Sequence, residues 1–330
     1  MDVIVYAIVT MVIGVAACAG YFYGTNALLD RIYPDSGENA ASNISKANAI
    51  RPWLFLAPAM LILGLYLVYP LFNSLILSFY DERGENWVGL DNYIWMIGDE
   101  KFLESLFNNA MWLIIVPAAA TFFGLIAAGL TDRIWWGNIA KSLIFMPMAI
   151  SFVGASVIWR FIYDYSGEGD DQIGLLNAMV TSLGGTPQAW ITIPFWNDIF
   201  LMIILIWIQT GFAMVILSAA LRGIPEETVE AAVLDGASPL QIFFKIKIPQ
   251  IAGTIAVVWT TITILVLKVF DIVFAMTNGE WGTQVLANYM YRQSFIQLDF
   301  GRGSAIAIVI MILVVPIMWW NIRNAMKENT

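Results

Sequence analysis

The 330-residue chain is 59% hydrophobic, carries 14 Trp and 20 Phe, and has only 12% charged residues. That charged share is about half the usual one for a soluble domain, and with a mean hydropathy of +0.74 it excludes an ordinary soluble protein in favour of an integral membrane protein. There is no histidine and one cysteine, Cys18, so the commonest general base, an intrachain disulfide and a Cys-based metal site are all missing; the chain is expected to be neither an enzyme nor a metal binder.

Runs of ~20 apolar residues cross a ~30 Å hydrocarbon core as helices. The sequence predicts seven of them, over roughly 3–23, 53–79, 109–130, 142–162, 199–221, 254–275 and 304–322. The fold class is therefore an all-α membrane protein of about seven transmembrane helices. The opening run, MDVIVYAIVTMVIGVAACAGYFYG, lacks the basic flank of a signal peptide and reads as a retained helix. A polar linker, YPDSGENAASNISKANAIRP, follows it.

Charge sets the orientation. One alternating set of connections, at 24–52, 131–141, 222–253 and 323–330, holds ten basic residues: Arg31, Lys46, Arg51, Arg133, Lys141, Arg222, Lys245, Lys247, Arg323 and Lys327. The other set holds four: Arg83, Lys101, Arg292 and Arg302. The basic set is expected in the cytoplasm, with the N-terminus outside and the C-terminus inside. The net charge of −9 then reflects acids gathered outside, such as Asp81, Glu82, Glu85, Asp99, Glu100, Asp170 and Asp171, rather than a basic partner, and nucleic acid is not expected to bind. Trp53, Trp112, Trp159, Trp196 and Trp319 are expected near the interfaces, where amphipathic rings settle.

Between the fifth and sixth runs lies IPEETVEAAVLDGASPLQIFFKIKIP, with six charges in an otherwise apolar chain. Pro225 and the following Glu226 and Glu227 suit a helix start. Val229, Ala232 and Val233 form a short apolar stripe, and Gly236 can end the helix in the left-handed conformation. Ser238 can cap a second helix that opens with Pro239 and carries Leu240, Phe243 and Phe244; Lys245 and Lys247 complement its end, and Pro249 is expected to break the chain. Physics leaves two readings open: a helix pair lying on lipid headgroups, or a docking knob for a soluble partner, which the small residues Ala231, Ala232, Gly236 and Ala237 would let approach closely.

The spacing of this segment is more specific. Glu230-Ala231-Ala232, three residues, Gly236, nine residues, Ile246, one residue, Ile248, Pro249 resembles the signature E-A-A-x3-G-x9-I-x-L-P of permeases of ATP-binding-cassette importers, with Ile248 in place of Leu as the one departure. FMPMAISFVGASVIWRFIYD at 145–164 and LKVFDIVFAMTNGEWGTQVLANYMYRQSFIQLDFGRGSAIAIVI at 267–310 are similar to the maltose-type sugar permeases, and within that group to the permeases of α-glucoside transporters. The resemblance covers the chain from about residue 52. It implies a six-helix permease domain over 52–330, with the coupling loop at 222–250, preceded by an added transmembrane helix and cytoplasmic linker over 1–51.

The resemblance also implies function. Such a permease sits in the bacterial inner membrane. It pairs with a second permease to form a sugar pathway, works with a periplasmic sugar-binding protein, and is driven by two copies of an ATPase subunit. ATP and magnesium are expected on those ATPase subunits and no cofactor on this chain, which has no G-x-x-x-x-G-K-[ST] phosphate loop. Glu230, Ala231, Ala232, Asp235, Gly236, Ala237 and Pro249 would contact the ATPase. The resemblance places sugar sites between the spans that flank the loop, where Gln209, Thr210, Thr260, Thr261 and Thr263 are candidates, although threonine in such helices usually bonds its own i−4 carbonyl. Lys268 and Asp271 are expected inside one helix, as i,i+3 neighbours that partly neutralise one another or as an outer gate. Two other readings remain: a self-sufficient ion-coupled secondary transporter or channel, which would use Lys268 and Asp271 as a relay, and a membrane scaffold or sensor.

Overall fold

The computed structural model describes residues 2–37, 39–132, 134–167 and 169–328. Arg133, counted above among the basic residues, lies outside them. The described residues are helical and contain no strand, only an isolated bridge between Tyr80 and Trp87. Five helices are long and apolar enough to cross a membrane, or up to seven when each of two sharply bent pairs counts as one span.

The chain divides into two compact units, Met1–Asn73 and Ser74–Thr330. In the first, α1 (Asp2–Ile32) meets the early part of α2 (Ala40–Leu77). The Tyr21 hydroxyl donates to the Leu54 carbonyl at 2.7 Å, and Arg51 pairs with Asp30 at 2.9 Å. Most of the polar linker expected at 33–52 is helical, from Ala40 onward. The run AASNISKANAIR has neither Gly nor Pro and is helical although it is not apolar.

The second unit is built on α4 (Glu100–Thr131) and α8 (Trp196–Arg222), preceded by the short α3 (Asp91–Gly98). Val116, Ala120, Leu205, Ile208, Met214 and Leu217 are fully or nearly fully buried there. A Cβ at Gly124 would meet the Ala213 Cβ at 2.5 Å and the Met214 backbone nitrogen at 2.9 Å, so only glycine lets α4 and α8 approach this closely. Trp112, expected at an interface, is fully buried in this core instead. A contact between two helices outweighs the interfacial preference of its ring.

Two predicted spans are broken. The run 142–162 splits into α5 (Gly137–Phe145), a 3₁₀ turn at Met146–Ala149, and α6 (Phe152–Ile162), with a bend of 105°. Ile150 is extended there, and the Ser151 hydroxyl accepts from the Gly154 N–H at 3.1 Å, starting a new helix. After α7 (Leu175–Ser182) and α8 come α9 (Glu226–Leu234) and α10 (Pro239–Gln250), which meets α11 (Ala252–Leu267) at 71°. The run 254–275 then stops at Leu267 and restarts as α12 (Asp271–Met276). Lys268 caps the end of α11 and Asp271 opens α12, each with the sign its helix end favours. A short α13 (Leu286–Tyr291) and α14 (Phe300–Glu328) complete the unit.

Candidate coupling site

The segment after α8 folds as two helices joined at a glycine. Pro225 sits at the N-cap with extended backbone, one residue before the helical turn in which it was expected. Gly236 has φ +79°; the Gly236 and Ala237 N–H groups donate to the Val233 and Ala232 carbonyls, closing the end of α9. Ser238 and Gln241 then form a reciprocal capping box at the start of α10, with Pro239 in its first turn. Pro249 does not break the chain as expected. It lies inside α10, which contains a π segment over Ile242–Lys247, and the turn comes at Ile251, whose φ of −102° leaves the helical range.

One face of this pair packs inward. Ala232 is buried, and Val229 and Phe243 are half-buried. Much of the rest of the segment is open: Glu230, Ala231, Asp235, Gly236 and Pro249 are exposed and Ala237 is half-exposed. Leu234 stands 88% exposed; Val233 is also exposed, as are Leu240 and Phe244, which border Ile126 and Leu130 of α4. Six of the seven predicted contact residues lie together over 230–237, with Ala232 turned inward, and Pro249 lies at the far end of α10.

Sequence reasoning missed what holds the root of the segment. Asp132 follows the last residue of α4 and accepts from Lys141 of α5, from Arg222 Nε and Nη2 of α8 at 3.0 and 2.8 Å, and from Ser218 Oγ at 3.0 Å. Lys141 also donates to Ser218 Oγ at 2.7 Å. Partial burial works against the ionised carboxyl, but the bonds from Lys141, Arg222 and Ser218 outweigh it and hold Asp132 below the ordinary carboxylate range. The signal was thin: a single Asp beyond an apolar run, with partners 9, 86 and 90 residues away. Asp132 and Arg222 line a cavity of about 570 Å³ together with Glu226, Glu230 and Lys247.

The candidate pathway residues are placed differently. Gln209 and Thr260 are buried, as is Thr263, and Thr210 is half-buried. Thr210, Thr260, Thr261 and Thr263 each donate to the carbonyl four residues earlier, at 2.7–2.9 Å. Lys268 and Asp271 do not share a helix face and form no ion pair; the expected i,i+3 neutralisation fails because residues 268–270 separate two helices. Both side chains are exposed and line a second cavity, of about 260 Å³, with Phe270 and Phe152.

Residues 120–321 match the family described as "Binding-protein-dependent transport system inner membrane component". The chain belongs to this family. It is thus a multi-pass inner-membrane permease of an ATP-binding-cassette importer, a transport component, and the reading as a self-sufficient ion-coupled transporter falls away. It is 69% identical to the alpha-glucoside transport system permease protein AglF of Rhizobium meliloti (strain 1021), over 100% of this chain and 99% of that one. It is 51% identical to the osmoprotective compounds uptake permease protein GgtC of Synechocystis sp., over 82% of this chain and 97% of that one. In fold it is similar to a chain in the crystal structure of a bacterial ABC transporter involved in the import of the acidic polysaccharide alginate, with a TM-score of 0.73 at 20% identity, over 84% of this chain and 97% of that one.

Proposed function

We propose that the chain lines, with a second permease, the path of an α-glucoside or related oligosaccharide. The observation that carries the sugar class is the full-length 69% identity to a permease named for α-glucoside transport. The open face of the α9–α10 segment supports the rest: small and apolar side chains there suit a cleft in an ATPase subunit, two copies of which would hold ATP and magnesium. A periplasmic binding protein would deliver the sugar.

In this reading the basic connections face the cytoplasm, so α9 and α10 do too, and the chain starts in the periplasm. Lys268 and Asp271 are the best placed pathway residues. Ionisable groups left unpaired along a span face a bundle interior or water-filled space, and here they border a cavity of about 260 Å³ with Phe270 and Phe152. Gln209, Thr210, Thr260 and Thr263 would contribute from α8 and α11, each threonine oxygen keeping an acceptor site after its helix bond is made.

Uptake of a labelled α-glucoside tests the proposal in sealed vesicles holding both permeases, the ATPase and the binding protein. Uptake should require ATP and survive collapse of the proton gradient. No flux with ATP, or flux lost with the gradient, contradicts it.

A further inference from the structure

The Asp132 cluster joins three separate elements at one carboxylate. It ties the end of α4 to Lys141 on α5 and to Ser218 and Arg222 on the last turns of α8. Arg222 is the final residue of α8, and only Gly223, Ile224 and Pro225 separate it from α9. Along the chain, a displacement of α9 by a partner reaches Arg222 across only three residues. With the cluster closed, that displacement is passed to α4 and α5 together. Without it, α8 connects to them only through apolar packing, which is non-directional.

The chemistry suits a fastener rather than a solvated surface pair. Charge-assisted bonds are short and roughly twice as strong as neutral ones, and Ser218 bridges by accepting from Lys141 while donating to Asp132. Lys141 and Asp132 expose only 14% and 20% of their side chains, whereas Arg222 exposes 59%. The inner pair is thus fixed, and the outer arm, on the loop side, is the part free to follow α9. Small displacements are carried by rigid elements whose contacts have discrete arrangements.

We propose that Asp132 is the positioning residue that makes α4, α5 and the end of α8 follow the α9–α10 segment as one body, and so carries its movement along α8, which bears Gln209 and Thr210, to the transport path. The role rests on the ATP-driven reading above, but part of its test does not.

Asp132→Asn would leave Lys141 and Arg222 uncompensated and could fail to fold. The variant of choice is therefore Asp132→Ala with Lys141→Ala, which leaves only the exposed Arg222 behind. In the full complex this double variant should assemble, keep basal ATP hydrolysis within about twofold of the parent, and lose tenfold or more in sugar moved per ATP. Asp132→Glu should recover part of that ratio. In the isolated chain, amide hydrogen exchange over 223–235 should rise in the double variant, a result that needs neither ATPase nor sugar. An unchanged sugar-to-ATP ratio overturns the proposal, as does a double variant that fails to assemble, because the cluster would then be structural only. If the parent complex itself moves no sugar, the importer reading fails instead, and unchanged exchange over 223–235 would separately overturn the fastener.

Discussion

Two connections, rooted at opposite ends of α8, are built in contrasting ways. At the start of α8, the 277–285 connection is pinned from beneath. Asn108 Nδ2 donates to the Gly282 and Gln284 carbonyls at 2.7 and 2.8 Å, Asn109 accepts from the Leu286 N–H, and Asn197 Nδ2 donates to the Trp281 carbonyl. Thr277 and Thr283 share a hydrogen bond of 2.6 Å. These bonds hold Asn278 and Trp281 at positive φ, a conformation that costs energy unless its surroundings impose it. At the other end, the 223–251 segment bonds mainly to itself, turns small and apolar side chains outward, and is fastened at its root by Asp132. On the proposed reading, the surface that accepts a partner and moves with it is kept locally simple. A surface that must keep one shape is bonded across helices.

The largest effect should come from the simple end. Gly236→Val forces a Cβ into the left-handed region at a cost of ~1–2 kcal/mol and distorts the open face; Glu230→Lys reverses a charge on it. Both variants should insert normally, yet transport should fall to background and ATPase subunit should no longer co-purify. Wild-type uptake by a correctly inserted Gly236→Val chain would remove the distinction between the two ends.

The pinned end should respond in stability. Asn108→Ala strips the buried Gln284 carbonyl and the part-buried Gly282 carbonyl of their donor, a loss of ~1–3 kcal/mol for a buried group left unsatisfied and less for the other. The thermal midpoint of the purified chain should drop by several degrees while ATPase binding is unchanged. An unaltered midpoint would mean that the asparagine bonds do not hold the connection.

The smallest effect concerns Lys268 and Asp271. With no ion pair between them, a double-mutant cycle of Lys268→Met and Asp271→Asn should be additive in stability to within ~0.5 kcal/mol. Clear coupling would show that the two side chains meet after all, and the break at 268–270 would lose its significance.

These contrasts also explain what could be read in advance. Helix existence followed from apolar run length, and the α9–Gly236–Ser238–α10 geometry followed from capping chemistry, because both are local. The breaks at Ile150 and 268–270 were hidden, since a bent span and a straight one have the same composition. Trp112 was misplaced because burial between α4 and α8 is not visible in either run alone. The Asp132 cluster and the Asn108 bonds were missed for a related reason: their partners are brought together only by the packing of α4 on α8, and a lone Asp or Asn in an apolar chain carries no spacing to search for.

Coupling, as proposed, requires an ATPase subunit to grip the open part of α9 and α10. Cys18 is the sole cysteine, so a Cys18→Ala, Leu234→Cys chain carries one thiol, at the most exposed large apolar residue of that segment. In vesicles, an impermeant maleimide should label it only from the cytoplasmic side, and prior binding of the ATPase subunit should suppress labelling at least tenfold. Labelling from the opposite side, or at the same rate with and without the ATPase, would contradict the account.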